Sequence, residues 1–367
     1  MENAKVYWRY RIAIIILDLV LSIFFFSIIQ ISGFSALVRD ISLHFSVNFY
    51  MSLVVYLGAI GILYYAISFP LNFYGSLVLE RKFSLSNRTL GSWMVDESKK
   101  CIISALITLF LIEIFYLIAR NTGIYWWFLC ALFWIIFSII FARLFPVIII
   151  PMFYKYKILA NNELRTKILT LAEKFKIKVL DVFEIDFSKN TKKSNAAVVG
   201  LGRTKRVILA DNLVNEFTAE EVEVVMAHEM AHYKLGHLWK LLLLGAGSII
   251  VFFFILSAVL VSAAGSLKIK DMFNISLFPV ICIAYIIYST LTMPIHSAIS
   301  RKLEEDADRT ALKMTGLRDP FISLMKKLGQ KNLSDENPNK IVEIFIYDHP
   351  PIKRRIEMAE NFVTHRS

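Results

Sequence analysis

The chain has 367 residues, 56% of them hydrophobic and only 19% charged, with a formal net charge of +11 at pH 7. That balance is too apolar for a soluble globule and places the bulk of the chain in lipid. The cysteines, Cys101, Cys130 and Cys282, lie in or beside apolar runs and form no CxxC pair, which excludes a disulfide framework or a thiolate zinc site.

Six runs are long enough to cross a hydrocarbon core, which needs about 20 apolar residues as helix. They are residues 12–31, 49–69, 101–119, 125–150, 239–262 and 273–295. The first exceeds a signal-peptide core and lacks a small-residue cleavage site, so it reads as a retained anchor. Lys5, Arg9 and Arg11 precede it; Arg81, Lys82, Arg88, Lys99 and Lys100 lie between the second and third runs, and many more basic residues fill 155–240. The alternate loops carry only Arg39, Arg120, Lys268 and Lys270. This positive-inside pattern predicts a cytoplasmic (inner) membrane protein with both termini and the large polar segments in the cytoplasm. The net positive charge fits a face resting on anionic lipid headgroups, and no nucleic-acid partner is expected.

Two polar regions, 151–238 and 296 to the C-terminus, are expected to form one domain outside the membrane. Leu164, Ile168, Leu171, Ala172 and Phe175 repeat at helical spacing, and Ile177 to Asp186 switches to a β-rich run. SNAAVVGLGRTKRVILA, from Ser194, predicts a small hairpin around the turn Gly202-Arg203-Thr204-Lys205. Thr218 to Glu221 fits a capping box, so a helix is expected from about Ala219 through VMAHEMAHYKLGH.

That helix carries the chemistry. Residues four apart differ by only about 40° around a helix, so His228 and His232 can grip one ion. Glu229 sits beside them, completing HExxH: two imidazoles for zinc and a carboxylate able to take a proton from water attacking a peptide carbonyl. His237 is nine residues from His228 and would point roughly the opposite way on a continuous helix. It also falls one position short of the HExxHxxGxxH spacing, so its expected role is structural, at a helix end where an imidazolium suits the dipole.

The third ligand must then come from elsewhere, and SRKLEEDADRTALK, from Ser300, supplies carboxylates directly after the last span. Spacing leaves Glu304, Glu305 and Asp306 open, because Asp308 is i+4 from Glu304 and i+3 from Glu305. Either pair can offer one carboxylate to the metal and another to orient a ligating histidine. Asn195, opening the strand SNAAVVG, is placed to contact the backbone of a peptide added at a sheet edge. His349, before two prolines and a basic helix, or an arginine of that helix, is placed to stabilise an oxyanion.

In this order the motifs resemble the integral-membrane zinc endopeptidases of the CAAX prenyl protease 1 family, from the second span onward. FPLNFYGSLVLERKFSLSNRTLGSW, from Phe69, is similar to that family's loop after an early span, and LFPVIIIPMFYK, from Leu144, to the end of its pre-catalytic span. SNAAVVGLGRTKRVILADNL, AHEMAHYKLGH, SRKLEEDAD and HPPIKRR then resemble its catalytic elements. The resemblance implies His228, His232 and Glu304 as ligands of one zinc ion per chain and Glu229 as general base. It further implies Asp308 as the carboxylate behind a ligand, Asn195 as the residue holding substrate backbone, and His349 and Arg355 as cleft-facing residues. Eukaryotic members have seven spans around an intramembrane chamber; six are counted here, one fewer before Phe69, which implies a smaller or differently closed chamber. The wording ERKFSLSNRT resembles the bacterial branch, where protein prenylation is not generally expected.

The expected fold class is an α-helical polytopic membrane protein of about six spans with a small cytoplasmic α+β zincin-like (gluzincin) catalytic part. Its expected divisions are 1–150 (four spans), 151–238 (edge strand and HExxH helix), 239–295 (two spans) and 296–367 (ExxxD helix and HPP motif). The expected function is an intramembrane-chamber zinc metalloendopeptidase cutting peptide bonds near the C-terminus of protein or peptide substrates, prenylated CAAX-type ones included. The alternatives are an HtpX-like quality-control protease of damaged membrane proteins and a non-proteolytic zinc-containing membrane protein.

Overall fold

The computed structural model describes residues 2–46, 48–200 and 205–362. Among these, six helices are long and apolar enough to cross a bilayer, where a helix satisfies its backbone hydrogen bonds within itself. The chain begins with α1 (Glu2–Ile31), α2 (Phe34–Phe45), α3 (Phe49–Phe73), α4 (Leu79–Lys82), α5 (Leu90–Asn121) and α6 (Trp126–Phe153). A π-helical turn over Tyr74–Val78 joins α3 to α4. With 12 residues, α2 is about 18 Å long, too short to cross a core of about 30 Å. The Ser35 hydroxyl ties it in place, 2.7 Å from the Tyr56 hydroxyl and 2.7 Å from the Ser276 carbonyl. Ile16, Leu17, Phe24 and Leu106 remain exposed, as lipid-facing sides require. Phe115, Tyr116, Trp126, Cys130, Phe253 and Leu256 pack into the bundle's interior.

The polar region contributes β1 (Tyr156–Ile158), α7 (Asn162–Lys174), β2 (Val182–Ile185), β3 (Ala196–Val199), β4 (Arg206–Ala210), α8 (Asp211–Glu216) and α9 (Ala219–Lys234). The strands run in the order β1-β2-β4-β3, with β2 and β4 parallel and the two outer pairs antiparallel. β3 and β4 pair as the expected hairpin, Ala196 opposite Leu209 and Val199 opposite Arg206. Residues 202–204 of its expected turn lie outside the described residues. The β-rich run is shorter than expected because its first residues close α7: Lys176 adopts φ 60° and the Ile177 amide donates back to the Ala172 carbonyl at 2.9 Å. The topology leaves β3 at a sheet edge. Its approach is fixed by the loop after α4, where the Asn87 amide donates to the Asn190 carbonyl at 3.2 Å and the Lys192 amide to the Leu85 carbonyl at 2.9 Å.

The chain then returns through α10 (His237–Ser266) and α11 (Phe278–Thr315), followed by α12 (Arg318–Lys331), α13 (Lys340–Ile346) and α14 (Ile352–Glu360). With 38 residues, α11 is about 57 Å long and runs unbroken from the apolar bundle to the face of α9. Its carboxylates are thereby placed by the same rod that forms the last span. One core unites the polar parts: Ile168 and Leu171 of α7, Val207 and Leu209 of β4, Met226 and Met230 of α9, Ala307 and Ala311 of α11, and Phe321 of α12. Between α5, α6, α10 and α11 lies a largely apolar cavity of about 780 Å³. Its polar lining pairs internally, with the Tyr288 hydroxyl donating to the Ser248 carbonyl at 2.7 Å and His296 Nε2 3.4 Å from the Ser248 hydroxyl.

Candidate active site

The N-terminus of α9 sets the register of everything after it. The Thr218 amide donates to Glu221 Oε2 at 2.9 Å and the Glu221 amide to Thr218 Oγ1 at 3.2 Å, closing the expected capping box. Glu221 also accepts from the Ser323 hydroxyl and the Lys327 ammonium, each at 2.7 Å, so the cap fixes α9 against α12 as well.

Two and three turns further on, His228 and His232 face α11. Their Nε2 atoms are 3.2 Å apart, and Glu304 approaches both: Oε2 lies 3.1 Å from His228 Nε2, and Oε1 lies 3.3 Å from His232 Nε2. One ligand atom from each of the three falls within 4.8 Å of the others. Glu304 Oε2 is buried yet accepts no aligned hydrogen bond among the described residues. Two imidazole nitrogens and a carboxylate converging in this way, with a buried oxygen left over, form a donor set that fits a cation such as zinc. Glu305 points outward instead, 2.7 Å from Arg309, so the geometry brings Glu304 to the histidines.

Behind this triad the contacts continue. His228 Nδ1 lies 2.8 Å from Asp308 Oδ1, and Asp308 is held in turn by the Arg355 fork, Nε to Oδ2 at 2.7 Å and Nη2 to Oδ1 at 2.6 Å. His349 Nε2 lies 3.2 Å from Glu304 Oε2, while its Nδ1 is 2.8 Å from Asp348 Oδ1. Glu229 opens into a cavity of about 340 Å³ also lined by Asn195, His349, Arg355, Leu324 and Met325. His228, Glu229, His232, Glu304, Asp308, Asn195, His349 and Arg355 thus gather around one cleft, whereas Glu305 lies outside it.

Charge is distributed unequally here. Burial opposes protonation of His228, but the Asp308 hydrogen bond and charge, together with Glu304, outweigh it and raise the imidazole to about 10. His232, pressed by burial and by the charge on His228, falls to about 4. Burial raises the Glu229 carboxyl above the usual range, against the pull of His228. His349 is raised despite burial, through Asp348 and Glu304.

His237 departs from its expected place. The α9 helix ends at Lys234, Gly236 takes a left-handed conformation at φ 67°, and His237 opens α10. The residue is at a helix N-terminus, where an imidazolium is disfavoured, rather than at the C-terminal end. The turn at Gly236 swings it back so that its Nδ1 lies 3.0 Å from His232 Nδ1. The break at Gly236 was the available signal, and counting angles along a continuous helix concealed it. Sequence reasoning also missed Asp348, and Trp8, whose ring stands 5.1 Å from that of Tyr347 at one end of the cleft.

The sequence profile of peptidase family M48 fits residues 159–363, more than half of the chain. The chain belongs to peptidase family M48. This M48 chain is accordingly an integral-membrane metalloprotease acting on peptide or protein substrate. A second profile, the CAAX prenyl protease N-terminal region with five membrane helices, fits residues 1–155. This chain meets that profile with four spans and the short α2.

Among similar proteins, the uncharacterized metalloprotease YhfN of Bacillus subtilis is 27% identical over 342 residues, covering 92% of this chain and 80% of that protein. CAAX prenyl protease 1 of Saccharomyces cerevisiae is 28% identical over 324 residues, covering 82% and 70%. The crystal structure of S. mikatae Ste24p shares the fold, with a TM-score of 0.80 at 24% identity over 90% of this chain and 81% of that one. The expected fold class, a polytopic helical membrane protein with a small α+β catalytic part, agrees with this likeness. The resemblance to CAAX prenyl protease 1 holds, and the Bacillus relative agrees with the bacterial-type wording of the loop.

Proposed function

We propose that this M48 peptidase is a zinc metalloendopeptidase, with one zinc ion held by His228, His232 and Glu304. The observation that carries the reading is the convergence of those three ligand atoms beside Glu229 in the cleft. Zinc, when bound, polarises the scissile carbonyl and the attacking water. Glu229 takes the water's proton and delivers it to the leaving amine, its side chain opening into the same cleft as the three ligand residues. His349 donates Nε2–H to the developing oxyanion, its other nitrogen held by Asp348. Arg355 spends its fork on Asp308, so in this proposal it positions His228 through Asp308 rather than touching the oxyanion. Substrate backbone adds to the outer edge of β3, where it displaces the Tyr233 hydroxyl from the Val198 carbonyl and the Asn195 side chain from the Ala196 amide, freeing Asn195 to guide it.

The basic residues beside alternate spans support an inner-membrane placement with the catalytic part and both termini cytoplasmic. The division at about 150, 238 and 295 then separates four spans, the HExxH segment, two spans and the Glu304 segment. The proposed substrates are membrane-associated polypeptides, prenylated CAAX-type ones included, cut near the C-terminus; the yeast relative is named CAAX prenyl protease 1.

The deciding experiment uses the full chain in detergent with a farnesylated CAAX peptide and its bare counterpart, cut sites read by mass spectrometry. One cut before the last three residues, absent in Glu229→Gln, is the expected result, and the bare peptide reports whether lipid is needed. Broad cleavage of unfolded membrane proteins with neither peptide cut would replace this reading with quality control. No cleavage of any substrate by zinc-loaded protein would leave a non-proteolytic role.

A further inference from the structure

His228 and His232 differ in what stands behind them. His228 has a carboxylate at its Nδ1; His232 has another imidazole, His237, at 3.0 Å. His237 is only 1% exposed, and its Nε2 is buried without a hydrogen-bond partner among the described residues. That is an unusual use of a buried histidine, because a core that merely needed filling would take an apolar side chain there.

The tautomers explain the arrangement. For His232 to offer Nε2 as a ligand, that nitrogen must carry no proton, so the ring's hydrogen sits on Nδ1 and needs an acceptor. The atom in place is His237 Nδ1, which accepts only if His237 is neutral with its own hydrogen on Nε2. Its position at the first residue of α10, beside the unpaired amides of the helix N-terminus, favours the neutral ring. Gly236, in the left-handed region, is what lets the chain turn sharply enough to bring the two Nδ1 atoms together.

We infer that His237 is a positioning residue which holds His232 in its Nδ1–H tautomer and so presents Nε2 for metal binding. The inference rests on the zinc reading above and gives the second ligand a support of its own, distinct from the Asp308–Arg355 arm behind the first. Partners behind metal-ligating histidines are typically worth 10- to 100-fold in affinity.

The test measures zinc affinity of the full chain in detergent by competition with a chromophoric chelator, with thermal unfolding of the metal-free protein as the fold control. His237→Leu removes the acceptor, and a 10- to 100-fold weaker affinity is expected. His237→Asn returns an oxygen to the place of Nδ1, one bond from Cγ, and is expected to stay within about 3-fold of the parent, whereas His237→Gln carries its oxygen one bond too far and behaves like Leu. A Leu or Gln variant binding as tightly as the parent, or an Asn variant falling as far as Leu, overturns the inference. Should the Leu variant fail to fold, the two amides decide between them. A parent protein that takes up no zinc defeats the metal reading itself, and this inference with it.

Discussion

The α9–α11 junction and the membrane bundle are both helix-on-helix packing, yet they are specified in different ways. At the junction, charged and imidazole groups form a connected chain: Arg355 to Asp308, Asp308 to His228, His228 and His232 to Glu304, Glu304 to His349. In the bundle, Phe115, Tyr116, Trp126, Phe253 and Leu256 meet as apolar surfaces, with polar contacts such as Ser35 to Tyr56 set separately among them. Removing one partner at the junction strands a buried charge, whereas in the bundle the loss is one contact among many. The polar chain should therefore be brittle and the apolar packing tolerant.

The largest effect is expected on chemistry. Glu229→Gln keeps the shape of the cleft and the three ligand residues but removes the proton acceptor, so peptide cleavage should fall by about 10²- to 10⁴-fold. Zinc content measured on the same sample should be unchanged. A variant that has also lost its zinc would show that Glu229 belongs to the metal-holding chain rather than acting beside it.

Next in size is Asp308→Ala. Asp308 is fully buried and serves both His228 and Arg355, so its loss leaves the largely buried guanidinium without its hydrogen-bonded counter-charge. A cost of about 3–5 kcal/mol is expected, read as a lowered unfolding midpoint of the detergent-solubilised protein. A shift equivalent to less than about 1 kcal/mol, the scale of an exposed pair, would remove the contrast between the two regions.

Glu221 gives the comparison a pH dependence. Burial would raise its carboxyl, but the Lys327 ammonium, the Thr218 amide and the Ser323 hydroxyl outweigh burial and hold it below the usual range. A folded value below the unfolded one means that the stabilisation is complete above the unfolded value of about 4.3 and is lost as pH falls through the folded value. Glu221→Gln should cost about 1.5–3 kcal/mol near neutrality, as for hydrogen bonds to a charged group. Unfolding measured at neutral and acid pH should show the variant and the parent drawing together as the medium becomes acid. A difference that stays constant with pH would mean that shape, not charge, fixes α9 to α12.

The same contrast governs what could be read from the sequence. The spans were legible because lipid demands a long apolar helix whatever its neighbours are. His228 and His232 stood out because a helix places i and i+4 on one face, Glu229 because it sits beside them in HExxH, and Asp308 because it lies i+4 from Glu304 and i+3 from Glu305. The choice among Glu304, Glu305 and Asp306 needed the resemblance, since spacing within one helix does not say which face meets α9. His237 was misplaced because its position depends on a single backbone angle at Gly236, and an angular count along one helix cannot register a change of axis. Arg355 was seen as facing the cleft, but its bonding to Asp308 crosses from α14 to α11, a distance of 47 residues in the chain with no periodic signature. The helix α2 was missed because 12 residues between spans are too few for a membrane signal, although their amphipathic pattern marks a helix.

The smallest expected effect tests the tolerant side. The Ser35 hydroxyl bridges Tyr56 and Ser276, joining α2, α3 and the turn before α11, and on distance alone these bonds equal those Glu221 accepts from Ser323 and Lys327. In a bilayer, however, the separated helices also find partners for their polar groups, so a bond of this kind averages about 0.6 kcal/mol and rarely exceeds about 1.7. Ser35→Ala should therefore shift the unfolding midpoint far less than Glu221→Gln, despite the similar geometry of the bonds removed. If Ser35→Ala proved the costlier of the two, then α2 would be a polar clasp on which the bundle depends, and the short helix standing where the family profile has five membrane helices would have taken over the work of a span.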